Sequence, residues 1–196
     1  MKGKADALTF GKYIQIPDGE PEPIEWLVLA RKKDRILVLS KYALDSRRYH
    51  ESFLATWETA TLRSFLNGEF LDFAFSEEEK ALIPSAFVSA DDNPEYDADP
   101  GNDTMDRVFL LSIGEVERYL GPEYTRRQCL ATAYCNYALD RPESHYDGSC
   151  RWWLQSPGVD SESAAYVNYN GHFILYGNGV NRCYDMAVRP AMWLSR

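Results

Sequence analysis

One stretch of the chain, Arg151 to Leu194 (RWWLQSPGVDSESAAYVNYNGHFILYGNGVNRCYDMAVRPAMWL), constrains the fold more than any other. Paired tryptophans, a Ser-Pro-Gly, an Asn-Gly between apolar runs and a Val-Arg-Pro-Ala-Met-Trp finish specify strands, tight turns and a buried aromatic layer. Pro157-Gly158 fits the central positions of a type II turn, where proline presets φ and glycine accepts a positive one. Asn170-Gly171 fits a type I′ hairpin turn between strands Ala164–Tyr169 and His172–Tyr176. That register sets Val167 opposite Ile174 and Ala165 opposite Tyr176. A short apolar strand, Ala191–Leu194, closes the stretch. No catalytic set is spelled out in it.

Upstream, the chain opens as three antiparallel strands. Leu8–Ile16 and Ile24–Ala30 are joined by the turn-rich PDGEPEP, and Arg35–Ser40 follows a charged turn at Arg31–Asp34. WLVLA and ILVLS are continuous rather than alternating, which suits strands covered on both faces. A helical middle follows. In TWETATLRSFLNGEF, Leu62, Phe65 and Leu66 fall on one helix face, and Gly68 is placed to stop the helix. Ser76 with Glu79, and Ser112 with Glu115, are capping-box pairs, the second opening a helix Ile113–Leu120 that Gly121 closes. Between them runs Ser89–Asp106, a polar loop of unusual length for a compact domain.

At 196 residues the chain is read as a single domain, its core spanning about residues 8–194. A formal charge of −9 argues against nucleic acid as partner, because phosphate binders cluster Lys and Arg. The basic spots are Arg31-Lys32-Lys33 and the isolated pairs Arg47-Arg48 and Arg126-Arg127. The N-terminal residues lack an export-type apolar run, and no run approaches the ~20 apolar residues that span a bilayer. The expectation is a cytoplasmic protein without membrane insertion, or an extracellular one if a leader or anchor lies upstream. Cys129, Cys135, Cys150 and Cys183 form no CxxC pair, which speaks against a zinc ribbon and for reduced thiols.

The order GKY, IEWLVLA, ILVLS, TWETATLRSFLNGEF, FSEEEKALI, DRVFLLSIGEVERYL, RWWLQSPG and AVRPAMWL resembles a bacterial family catalogued as domain of unknown function 6273, common in gut-dwelling Firmicutes. The resemblance runs from about Phe10 to Leu194. A looser likeness is to the C-type-lectin-like fold, shared by formylglycine-generating enzymes and the variable proteins of diversity-generating retroelements. There Val188-Arg189-Pro190 stands in for a glycine-phenylalanine-arginine finish. This second resemblance implies fold alone, since fold does not carry function.

Candidate sites follow from residue chemistry. A Ser/His/Asp triad would draw on His50, His145 or His172, yet no GxSxG elbow accompanies any serine. Formylglycine-type oxidation uses two nearby cysteines before the terminal arginine motif. Here Cys183 stands alone in that stretch, unless Cys129, Cys135 or Cys150 folds against it. The loop Asp91–Asp106 crowds oxygen donors, with Asp97, Asp99 and Asp103 as candidate Ca²⁺ ligands against the plain alternative of a solvated loop. The hairpin and its following loop set Tyr169, Asn170, His172, Tyr176, Asn178 and Arg182 together. Aromatic faces beside amide and guanidinium donors are what sugar or peptide recognition uses.

The sequence thus points to an α+β domain of C-type-lectin-like arrangement, with antiparallel sheets, short helices and long loops. The expected function is a non-catalytic binding module for a carbohydrate or a protein surface, without a cofactor beyond that Ca²⁺ candidate. The alternatives are an enzyme derived from the formylglycine-generating fold and a structural assembly domain. Trp26, Trp57, Trp153 and Trp193 are expected in the core, and Arg189 is expected to be structural.

Overall fold

The computed structural model describes residues 6–139, 148–182 and 186–196. It is a mixed α/β arrangement of mostly antiparallel sheets with short helices. Strands β1 (Ala7–Ile14), β2 (Pro21–Arg31) and β3 (Arg35–Ser40) form an antiparallel meander, as the apolar runs lead one to expect. Residues Ile36–Ser40 are buried without interruption, so β3 is covered on both faces, whereas Leu27–Ala30 of β2 is only half-buried. A two-residue strand β4 (Asp45–Ser46) follows after a short crossing.

The helical middle does not end at Gly68. Helix α1 (Thr61–Phe65) runs on through a π-turn, Leu66–Phe70, into α2 (Leu71–Ala74), with Gly68 in the middle of the widened turn. The helix continues because Asn67 ties it down. Its Nδ2 donates to the carbonyls of Arg63 (3.1 Å) and Val108 (2.8 Å), and its Oδ1 accepts from the amides of Arg107 and Val108. The capping boxes both form: Ser76 and Glu79 start α3 (Glu77–Ala81), and Ser112 and Glu115 start α4 (Ile113–Leu120), with Gly121 at its end in a positive-φ cap. Between them, β5 (Ala86–Val88) pairs with β6 (Thr104–Asp106), so the long polar loop is a closed excursion between two strands.

Strand β7 (Val108–Phe109), helices α5 (Tyr124–Arg127) and α6 (Ala133–Ala138), and strand β8 (Cys129–Leu130) were not anticipated from periodicity; each is too short to carry any. The tryptophan-rich stretch supplies β9 (Ser149–Pro157), β10 (Ser163–Val167), β11 (Phe173–Gly179), β12 (Met186–Val188) and β13 (Ala191–Ser195).

Two main sheets result, ordered β1-β2-β3-β13-β7 and β11-β10-β9-β12-β4, with β8 also pairing with β9. The N- and C-terminal strands share a sheet but are not neighbours, because β2 and β3 lie between them. Arg189-Pro190 is the corner at which the chain passes from the second sheet (β12) to the first (β13). Around that corner Trp26, Trp152 and Trp153 are fully buried, and Trp57 and Trp193 nearly so. Fully burying a side chain of that size contributes several kcal/mol, so this aromatic layer anchors the core. None of the described helices is long and apolar enough to cross a membrane.

Both turns expected in the last third take a different form. Pro157 ends β9, and Gly158 has no positive φ; it is glycine because a Cβ there would come within 2.4 Å of Ser163 Oγ and 2.6 Å of the Tyr176 carbonyl oxygen. The hairpin turn is not type I′, since Asn170 keeps a negative φ. Gly171 alone is positive (φ 83°), its amide donates to Asn168 O, and Asn168 N donates to His172 O. A turn followed by one left-handed glycine adds a residue to the loop and moves the register by one. Val167 therefore faces Phe173, Tyr166 faces Ile174 and Ala164 faces Asn178.

Candidate functional site

A cleft lies away from the hairpin, on the face formed by β1, β4, α6 and the π-turn. Two hollows of about 550 Å³ each meet there, and both are lined by Arg47, Phe65 and Glu69. One continues past Arg48, Glu51 and Thr61. The other is an aromatic slot of Tyr13, Phe70, Phe73 and Tyr134, closed by Ile14 and Asp72.

Arg47 stands at the junction and is held from two sides. Its Nε donates to Asp45 Oδ2 at 2.9 Å, and its guanidinium lies 3.5 Å from the centre of the Phe65 ring. Asp45 is buried and saturated. Besides Arg47 it accepts from Tyr13 Oη at 2.8 Å and from the amide of Ser46 at 2.8 Å. Burial, and then the Asp45 charge, push the Tyr13 phenol far above its ordinary range, so it stays a donor. For Arg47, burial works against the charge, but Asp45, Tyr13 and Glu69 outweigh it and raise the pKa. The guanidinium is thus a fixed cation. Among the described residues, its Nη1 and Nη2 make no hydrogen bond, which leaves a forked donor pair for the groove.

The slot is built by rings meeting edge to face. Tyr13 lies 5.6 Å from Phe73 and 6.2 Å from Tyr134, both near perpendicular, and 5.2 Å from Phe70. Phe73 remains 53% exposed, a large apolar face offered to solvent at the slot's rim. The π-turn contributes Gly68, Glu69 and Phe70 to the groove. Such turns are rare, and they are found frequently at functional sites.

The hairpin residues are arranged differently. His172 is exposed and stacks on Tyr124 at 3.8 Å, Asn170 Oδ1 accepts the His172 amide, and Asn178 Oδ1 accepts the amide of Gly179. The Tyr169 carbonyl accepts from Gln128 Nε2, Tyr176 is exposed, and the Arg182 side chain folds back along Gly179. The asparagines of this group serve the turns, and His172 docks the hairpin onto α5.

In the acidic loop, Asp99 and Asp103 each spend an oxygen on a backbone amide, of Gly101 and Ala90 respectively. Asp97 lines a shallow hollow of about 330 Å³ with Asp92 and Glu95. Among the described residues, no three His, Cys, Asp or Glu side chains converge to hold a metal ion. The loop is held instead by Asn93, whose Nδ2 donates to the carbonyls of Pro157 and Leu175 at 2.8 Å. His50 Nδ1 accepts the Thr61 amide. His145, Cys183 and Tyr184 lie outside the described residues.

Sequence reading registered Arg47-Arg48 only as an isolated basic pair. The groove escaped it because Tyr13, Arg47, Phe65, Phe73 and Tyr134 come from separate segments, and no local spacing links them. The weak signal was Gly68 inside a strong helix pattern, a local misfit that turned out to be the π-turn.

Fold and groove together define a mixed α/β domain that carries an aromatic cleft headed by a pinned arginine. Residues 33–196 match the family described as Domain of unknown function (DUF6273), and the chain belongs to that family. No curated protein and no solved structure matches it.

Proposed function

We propose that the chain is a non-catalytic binding module whose ligand, a carbohydrate, seats in the Arg47 groove rather than on the hairpin. The observation that carries this is the fixed Arg47 fork opening beside the slot of Tyr13, Phe73 and Tyr134. Sugars present hydroxyls on their edges and C–H groups on their faces. A guanidinium with nearby carboxylates meets the first, and exposed aromatic rings meet the second. The mixed charge of Arg47, Arg48, Glu51, Glu69 and Asp72 suits a neutral polyol better than a strongly charged ligand. A C-type-lectin-like arrangement is part of the same proposal, supported by the sharing of one sheet by the terminal strands.

A glycan array followed by titration calorimetry tests the reading. Arg47→Met and Phe73→Ala should each lower affinity by about tenfold or more, the worth of one charge-assisted hydrogen bond or one aromatic face. A protein that binds the groove, with the same dependence on Arg47, would keep the module and change the ligand. Binding that is untouched by both substitutions would remove the groove from consideration.

A second reading is an enzyme, favoured by one observation: several ionisable groups share the cleft. Against it, Asp45, the buried carboxylate behind Arg47, is already committed to three donors. Turnover of a bound glycan that Glu69→Gln abolishes, with binding intact, would establish the enzyme.

A further inference from the structure

Cys129 and Cys150 are register partners on the two antiparallel strands β8 and β9. The Ala131 amide donates to the Gly148 carbonyl two residues along, which makes Cys129 and Cys150 a hydrogen-bonded rung. Such rungs set Cα atoms about 5.5 Å apart, inside the window of roughly 4.4–6.8 Å that a disulfide spans. Here both thiols are free; the Cys150 S–H donates to the Cys129 carbonyl at 3.4 Å, and the Cys129 S–H to the Leu130 carbonyl at 3.4 Å.

The rung sits beside a buried cation for which the described residues supply no carboxylate. Arg189 is 2% exposed and donates through Nε to Ser40 O at 3.0 Å, with Trp152 under its plane at 4.9 Å. Its Nη1 has no partner, and no ion pair to it occurs among the described residues. A buried guanidinium without a carboxylate favours any anion that can form near it. The groups around the rung are Arg189 and Cys135, with Asp45 behind Cys135. Burial raises the Cys129 thiol, but the neighbouring Cys150 thiol and Arg189 outweigh it and hold it below the ordinary thiol range. Cys150, the hydrogen-bond donor of the pair, is pushed up instead, and so is Cys135.

We propose that Cys129 and Cys150 are a thiol–disulfide pair, with Cys129 the attacking sulfur, Cys150 the resolving one and a small hydroperoxide the oxidant. The Cys129 thiolate attacks one oxygen of the peroxide, and the O–O bond breaks. Sulfur becomes a sulfenic acid, and the other oxygen leaves and takes up a proton as water or alcohol. Cys150 sulfur then attacks Cys129 sulfur. The S–S bond forms, the S–O bond breaks, and the hydroxyl leaves as water with the Cys150 proton. Two thiols and one hydrogen peroxide thus become one disulfide and two waters. Access comes through β8, a two-residue strand whose second residue, Leu130, is 45% exposed, so local opening there brings Cys129 to solvent.

The test is peptide mapping of the intact chain by mass spectrometry, without reduction, before and after limited hydrogen peroxide. The expected product is a Cys129–Cys150 link with loss of two hydrogens. In Cys150→Ser the reaction should stop at a sulfenic acid on Cys129 that dimedone traps. In Cys129→Ser no link should form, and Cys150 should stay a thiol. Should either variant fail to fold, the map of the unaltered chain decides alone. A link through Cys135 or Cys183, first oxidation at Cys150, or two intact thiols after peroxide has oxidised surface methionine would each overturn the proposal.

Discussion

The Asn67 carboxamide both accepts from and donates to Val108: its Oδ1 takes the Val108 amide at 3.2 Å and its Nδ2 reaches the Val108 carbonyl at 2.8 Å. Val108 pairs with Met192 of β13 on its other side. One side chain thus does the work of a further strand, covering the outer edge of the first sheet. The same amide satisfies the Arg63 carbonyl at the head of the π-turn, so sheet edge and groove wall share one joint.

Replacing Asn67 by Ala should cost about 2–3 kcal/mol, since several partly buried partners lose a hydrogen bond worth about 1 kcal/mol each. Asn67→Asp should do no better, because it turns an oxygen toward the carbonyls of Arg63 and Val108. Urea unfolding measures both. An aspartate variant as stable as the parent would show that the Nδ2 bonds are unimportant.

Trp153 joins core and groove. It is fully buried and donates through Nε1 to the Arg47 carbonyl at 3.0 Å. Trp153→Ala should lower stability by about 3–5 kcal/mol. A loss within ~0.5 kcal/mol, as for an ordinary surface change, would contradict its place in the core.

Glu115 makes stability fall as pH rises through the acid range. Burial, reinforced by the Asp91 charge, lifts its carboxyl to about 6 from the ordinary 4.5, against the lowering effect of the Ser112 amide and Arg118. Between those values the folded protein keeps a proton that the unfolded chain has released. Its contribution is therefore greatest at the acid end and is lost by the time pH passes the folded value. The loss is about 2 kcal/mol. Glu115→Gln keeps an acceptor for the Ser112 amide and should remove that slope. Parallel stability–pH curves for variant and parent between pH 4 and 7 would contradict the assignment.

Gly171 separates the two roles considered for the hairpin. With φ at 83° and a would-be Cβ 2.0 Å from the Tyr124 carbonyl oxygen, Gly171→Ala should cost more than about 2 kcal/mol. Tyr176→Ala, at an exposed position, should stay within ~0.5 kcal/mol. If Tyr176→Ala instead weakens glycan binding while Arg47→Met does not, the ligand seat returns to the hairpin.

What the sequence determined by itself is local and periodic. The apolar runs of the meander, both capping boxes, the apolar setting of the tryptophans and the hairpin signal are patterns a few residues long, so they can be read without knowing what packs against them. Tertiary structure decided the rest. Gly68 ends a helix by propensity, yet Asn67 found partners on Val108 and Arg107 and the helix ran on as a π-turn. Asn170-Gly171 allowed more than one turn, and the close approach of Tyr124 coincides with the form that leaves only Gly171 left-handed. The groove depended wholly on assembly. Arg47 becomes a fixed cation only when Phe65 and Tyr13, from two distant segments, close around it and the neighbouring Asp45, and desolvation on folding is what makes those contacts strong.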